Sequence, residues 1–212
     1  MLKAYITNHG FLFIKENKNV TMMPLLNVKN LTTYYKTLRG YVRAVENISF
    51  SVEKGEAMGL AGESGCGKTT TALSILNLLP SNGEIVKGRI LFRDKDIAHL
   101  SEADLRKRIR WKGISLIFQG AMNALNPLYT AEYQIVEAIR IHEKNVSKKE
   151  AKERVHKLFD LVGLDPSRAA NYPHEFSGGM KQRAMIDMAL ACNPDMATAD
   201  EPGTALDVIV QA

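Results

Sequence analysis

An α/β fold is what this sequence predicts, and three observations carry the prediction. Short apolar runs bounded by turn residues alternate with longer stretches of helical periodicity. A glycine-rich loop, Gly62 to Gly67, falls between one such run and a helix. Hydrophobic residues make up 45% of the 212 residues and charged residues 24%, enough apolar material for a folded core of one domain or slightly more.

The elements follow in order. Residues 1–24 show no clear periodicity and are expected to form an irregular N-terminal extension, with Met22 and Met23 as candidate start residues. The ordered pattern begins at Leu25-Leu26-Asn27-Val28. Val45 to Val52 and Ala57 to Ala61 read as strands separated by the Lys54-Gly55 turn. A helix is expected from Lys68 to about Leu79, with Leu73, Leu76 and Leu79 on one face, stopped by Pro80 and the Ser81-Asn82-Gly83 turn. Arg89 to Phe92 resumes a strand, Ser101 and Asp104 read as a capping pair opening a helix, and Ile114 to Phe118 is a buried-strand run. The middle of the chain, about 122–190, reads as a helical subdomain. There Ser147 and Glu150 form a capping box, and Val155, Leu158, Phe159 and Val162 make a core-facing stripe ending at Gly163.

Several function classes recede at this stage. A net charge of +5 is spread along the chain rather than gathered on a basic helix or an aromatic-flanked motif, so no nucleic-acid partner is expected. No apolar run approaches the 18 or so residues of a membrane span, and Phe11 to Ile14 is too short for a secretory core. Two cysteines, Cys66 and Cys192, are too few for a disulfide framework and point to a reducing compartment.

The chemistry concentrates in Gly62-Glu63-Ser64-Gly65-Cys66-Gly67-Lys68-Thr69, which matches the phosphate-loop pattern between a strand and a helix. Glycines let successive N–H groups curl around a polyphosphate. Lys68 can reach the outer phosphates, and the Thr69 hydroxyl can ligate Mg²⁺. Gly62, Ser64, Gly65, Gly67, Lys68, Thr69 and Thr70 are therefore candidate nucleotide contacts. A second anion-ready helix start lies at Ser177-Gly178-Gly179, with a cap serine and two glycines before a helical stretch running to about Cys192. One chain has little use for two triphosphate cradles. The economical reading is that the second site caps a nucleotide held by another copy.

Phe176 to Arg183 resembles the signature motif of ABC transporter ATP-binding domains, and the neighbouring motifs match that family in order and spacing from about Leu25 to Ala212. The resemblance implies a P-loop NTPase fold of the ABC type, with a mixed β core and a helical subdomain, binding ATP and Mg²⁺. It implies that Gln119, after Phe118, touches Mg²⁺ and signals to a membrane subunit. It makes Asp200 a holder of the Mg²⁺ shell, Glu201 the group that polarises the attacking water, and Asp207 part of the D-loop. Tyr35 falls where the family places an aromatic that stacks on adenine. Catalysis would then rest on Glu201, Gln119 and Lys68, with Thr69, Gln119 and Asp200 around the metal. GYVRAV at Gly40 to Val45, FQGAMNALNP at Phe118 to Pro127, YPHEFSGGMKQR at Tyr172 to Arg183 and ADEPGTALDV at Ala199 to Val208 are similar to the importers of dipeptides, oligopeptides and nickel. That similarity implies a peripheral subunit on the cytoplasmic membrane face. Its expected partners are a second ATPase subunit, identical or related, membrane permease subunits and, indirectly, an extracytoplasmic peptide-binding protein.

Two departures matter. Met196-Ala197-Thr198-Ala199 takes the strand before Asp200, where the family has bulkier aliphatics. The five histidines, His9, His99, His142, His156 and His174, all precede Asp200, so the family's switch histidine is missing. The chain is therefore expected to stop short of a complete domain and to be marginal in stability. A non-catalytic nucleotide-binding remnant is the competing reading, and a soluble ABC ATPase of DNA repair or translation a more distant one.

Overall fold

The computed structural model describes residues 2–6 and 12–16 as backbone and residues 23–118 and 124–200 in full. The chain divides into two compact units, Met1–Leu105 and Arg106–Ala212.

The first unit is built on two sheets. One has the order β4-β3-β6-β7, with β3 Leu26–Thr37, β4 Gly40–Val52, β6 Gly83–Phe92 and β7 Lys95–Asp96, and all its neighbours are antiparallel. Its inner face is made by Leu26, Val28, Leu31, Val45, Ile48 and Ile90, all buried. The alternation slips around Asn30, where β3 has register shifts against both neighbours and Asn30 itself adopts a left-handed φ of 51°. Gly88 of β6 lies opposite that irregularity at φ +105°. A Cβ there would meet the Leu31 Cα at 2.6 Å and the carbonyl oxygens of Asn30 and Lys29 at 2.7 Å, so only glycine fits.

The other sheet has the order β1-β2-β5, with β1 Leu2–Ile6, β2 Leu12–Glu16 and β5 Met58–Ala61, again antiparallel. This corrects the irregular N-terminal extension expected from the sequence. The strands arise from a pairing between β2 and β5, residues more than forty positions apart, and local periodicity carries no trace of such a contact.

After β5 comes helix α1, Lys68–Ile75. It is shorter than the sequence suggests and ends before Pro80 is reached. Asn77 takes a left-handed φ of 51°, its N–H donates to the Ser74 carbonyl and that of Leu78 to the Leu73 carbonyl, which is a Schellman stop with asparagine in the usual glycine place. Leu79 thus lies outside the helix. Near the end of this unit Ser101 does cap α2, but α2 covers only Glu102–Asp104 before giving way to a π-helical turn, Leu105–Ile109.

The second unit is a parallel pair, β8 Ile114–Ile117 and β9 Met196–Ala199, together with three helices, α3 Ala131–His142, α4 Lys148–Leu161 and α5 Gly178–Leu190. Phe159, Ile135, Ile139, Val155, Ala151 and Ala184 form its core, so the stripe read from the sequence faces inward as expected. The capping box at α4 is complete: Glu150 N–H donates to Ser147 Oγ at 3.2 Å and Ser147 N–H to the Glu150 carboxylate at 2.8 Å. A bidentate pair from Arg154 to Glu143, at 2.6 and 2.9 Å, ties α4 to the end of α3 and holds the Glu143 carboxyl below its ordinary range. Among the described residues β9 pairs with β8 alone, and its small side chains leave Ala197 and Ala199 exposed.

Candidate nucleotide-binding site

The phosphate-loop motif folds as its residues dictate. β5 delivers the chain to Gly62, and α1 begins at Lys68. Between them Gly65 and Gly67 take φ values of +80° and +100°, which residues with a Cβ adopt only under strain. A Cβ on Gly65 would meet nothing within 4 Å, so its backbone conformation rather than crowding favours glycine there. Gly67 is the N-cap of α1 and, having no side chain, offers no cap to the first helical amides.

Lys68 curls back over the loop. Its Nζ donates to the carbonyl oxygens of Gly62 at 2.8 Å and Glu63 at 2.9 Å and lies 3.8 Å from Cys66 Sγ. The ammonium is thereby held within the cradle. A loop presenting the positive end of a helix and a fixed ammonium, with room where a glycine Cβ is missing, fits a phosphate group. Gly62, Ser64 and Thr69 are exposed, while Thr70 is buried.

Beneath α1 runs a row of hydroxyls that sequence reasoning did not single out. Thr71 Oγ1 donates to the Gly67 carbonyl at 2.9 Å, Ser74 Oγ to the Thr70 carbonyl at 2.7 Å, and the Thr33 and Ser74 hydroxyls meet at 2.9 Å. Thr33 belongs to β3, two residues before Tyr35. The Tyr35 phenol in turn lies 3.3 Å from Thr70 Oγ1, and its ring packs where a Cβ on Gly83 would come within 2.8 Å. The structure thus brings Tyr35 to the start of α1, in the same unit as the loop. A pattern of hydroxyls at positions 70, 71 and 74 was the available signal, but nothing local told which would face β3.

The second glycine-rich helix start lies in the second unit. Ser177 is the N-cap of α5, and its Oγ accepts from Met180 N–H at 3.3 Å. Beside it opens a cleft of about 320 Å³ lined by Asp165, Arg168, Ser177, Gly179, Met180 and Arg183. Farther along α5, Asp187 is fully buried, and among the described residues neither carboxylate oxygen has a hydrogen-bond partner. Burial alone raises its carboxyl from an ordinary value near 3.8 to about 8. Sequence reasoning passed over this aspartate.

Asp200 directly follows β9, and its N–H donates to the Ile117 carbonyl at 2.9 Å, so the parallel ladder carries it to the strand end. Phe118 closes β8 and is half-exposed. Gln119, Glu201 and Asp207 lie outside the described residues. Among the described residues no group of three or more His, Cys, Asp or Glu could hold a metal by itself.

A phosphate loop opening α1, a serine-capped Gly-Gly helix start and an aspartate at the end of a parallel strand define a nucleotide-binding cassette. The family model described as ABC transporter matches residues 45–204, and the chain belongs to that family. It is 49% identical to the dipeptide transport ATP-binding protein DppD of Bacillus subtilis (strain 168) over 90% of this chain and 57% of that protein. It is 47% identical to the oligopeptide transport ATP-binding protein OppD of Escherichia coli (strain K12), over 89% of this chain and 56% of that one. The chain thus spans rather more than half the length of these curated relatives. Among solved structures it is similar to the ATP-binding cassette MJ0796, in a dimeric post-hydrolysis state bound to ADP and Pi, with a TM-score of 0.75 and 29% identity over 87% of this chain and 77% of that one.

Proposed function

We propose that the chain binds and hydrolyses ATP as the energy-coupling subunit of an ABC importer for dipeptides or oligopeptides. The observation that carries this reading is the Lys68 ammonium fixed on the Gly62 and Glu63 carbonyls inside a glycine-lined loop. There it meets the outer phosphates, while the α1 amides take the inner ones. Tyr35, set against Thr70, offers the face on which adenine stacks. Mg²⁺, held by Thr69, Asp200 and Gln119, would supply charge neutralisation at the phosphates. Glu201 orients the water that attacks, and Asp207 belongs to the contact between copies.

The Ser177-Gly178-Gly179 turn serves the nucleotide of a second ATPase subunit, identical or related. Support comes from its position at a helix start and from the dimeric state of MJ0796. The peptide cargo is supported by the relatives' names alone. Among the described residues no helix is long and apolar enough to cross a membrane. As the subunit of such an importer the chain works at the cytoplasmic face of the membrane, beside permease subunits and with a peptide-binding protein outside. Leu128, Tyr129 and Tyr133, exposed and just beyond Gln119 in sequence, offer an apolar contact for such a permease.

Titration of the full chain with a fluorescent ATP analogue, with and without Mg²⁺, tests the first step. Saturable binding that weakens about 10- to 100-fold in Lys68→Ala is expected, and binding indifferent to that substitution would overturn the reading. Phosphate release measured for the chain and for Glu201→Gln tests the second, with turnover lost in the variant.

A further inference from the structure

Arg183 sits on the second turn of α5, six residues after Ser177, and its guanidinium reaches the end of α4. Nη1 donates to the carbonyl oxygens of both Val162 and Gly163, each at 3.1 Å. Val162 is the C-cap of α4 and Gly163 the residue after it, so the two carbonyls belong to the turn that ends the helix. The helix ends in a Schellman motif, with Leu164 N–H on the Phe159 carbonyl at 2.7 Å and Gly163 N–H on the Asp160 carbonyl at 3.0 Å. A helix C-terminus carries partial negative charge, so a guanidinium is favoured there over a neutral donor. Gly163 serves the arrangement twice. Its φ of +71° ends α4, and its missing Cβ leaves the place that Nη1 occupies, since a Cβ would come within 2.9 Å of it.

The connection from Gly163 to Ser177 is pinned at its own points. Leu164, Ala169 and Phe176 are buried, Phe176 meets the Phe159 ring edge-on at 6.5 Å, and the Asn171 carbonyl accepts from Ala131 N–H at 3.1 Å. Farther along, Ala184 and Ala191 anchor α5 in the core. The cap on Met180 N–H is complete without Arg183. The fold of α5 therefore has its own supports, and what the guanidinium adds is a fixed height and rotation for the first two turns.

We propose that Arg183 is a positioning residue, gripping the carbonyls of the turn that ends α4 so that the Ser177–Gly179 turn is held ready to meet a nucleotide carried by a second copy. The last step rests on the proposed function; the grip itself does not.

The test uses the full chain, Arg183→Met, which keeps the stem, and Arg183→Lys, which keeps a charge that can reach one carbonyl. Hydrogen exchange is followed by mass spectrometry over residues 177–183 and over α3 and α4, beside a thermal melt. Exchange in 177–183 about 10-fold faster in Arg183→Met, with α3 and α4 unchanged and protection partly restored in Arg183→Lys, is the expected result. Unchanged exchange, or an acceleration spread evenly over all three helices, overturns the proposal. Sedimentation with ATP and Mg²⁺ then reads the consequence: self-association weakened in Arg183→Met, while the ATP analogue binds within twofold of the parent chain. A loosened turn with undiminished self-association overturns the presentation step. A parent chain that binds the analogue and never pairs defeats the two-copy part of the proposed function, and the exchange measurement still decides the role of Arg183.

Discussion

The helices α1 and α5 both start from glycine-rich turns, and they are finished in opposite ways. At α1 the cap is Gly67, which has no side chain to give, and the lysine that follows lies on loop carbonyls. At α5 the cap is Ser177, which closes on Met180 N–H, while Arg183 ties the second turn to α4. Four amides at any helix start need partners. The first start has no side-chain cap, and the second meets part of that need with a serine hydroxyl. Similar composition thus goes with an uncapped helix start in one place and a capped, tied-down one in the other.

The largest expected effect tests how self-sufficient α5 is, because it carries the buried Asp187 carboxylate, which has no hydrogen-bond partner among the described residues. The folded chain holds the Asp187 proton up to about pH 8, against an ordinary value near 3.8. The stability linked to that proton is fully present below the ordinary value. It falls as pH rises toward 8 and is flat above. Asp187→Ala should raise stability by a few kcal/mol, on the order expected for removing an unpartnered buried carboxyl, and remove most of the fall between pH 5 and 8. Urea midpoints across that range read it. A variant no more stable than its parent at pH 8 would mean that the carboxyl finds a partner.

Next in size is Lys68→Ala. Loss of a charge-assisted contact should weaken binding of an ATP analogue by about 10- to 100-fold while moving the thermal midpoint little, since the ammonium touches only its own loop. A large drop in stability would break the contrast by making Lys68 a structural cap. Ser177→Ala should show the reverse balance: a loss of about 1 kcal/mol in urea unfolding, with analogue binding to the monomer unchanged. The smallest effect belongs to Tyr35→Phe. Removing a 3.3 Å contact to Thr70 should cost about 0.5 kcal/mol and spare the affinity, whereas Tyr35→Ala should lower it by removing the ring.

What could be read beforehand follows the range of each interaction. The loop, the α4 capping box and the inward stripe of Val155, Leu158 and Phe159 depend on neighbours within a few positions, and the structure places them as the sequence suggests. The stop of α1 at Asn77 was also local, yet the proline three residues on gave the louder signal and drew the helix too long. The remaining differences are non-local. The pairing of β2 with β5, the reach of Arg183 across twenty positions and the burial of Asp187 exist only once the chain has folded. Gly163 could be read as a helix stop, but not as the space that Arg183 fills.

The Thr33–Ser74 and Tyr35–Thr70 hydroxyl contacts join β3 to α1, and Tyr35 and Lys68 ride on those two elements. Ring and ammonium therefore keep a set separation, much as the jaws of a fixed-gap caliper do. A compound that engages both must have the right length between its flat end and its charged end. Shortening or lengthening the ligand by one phosphate should penalise grip at one end, whatever the chemistry of the groups themselves.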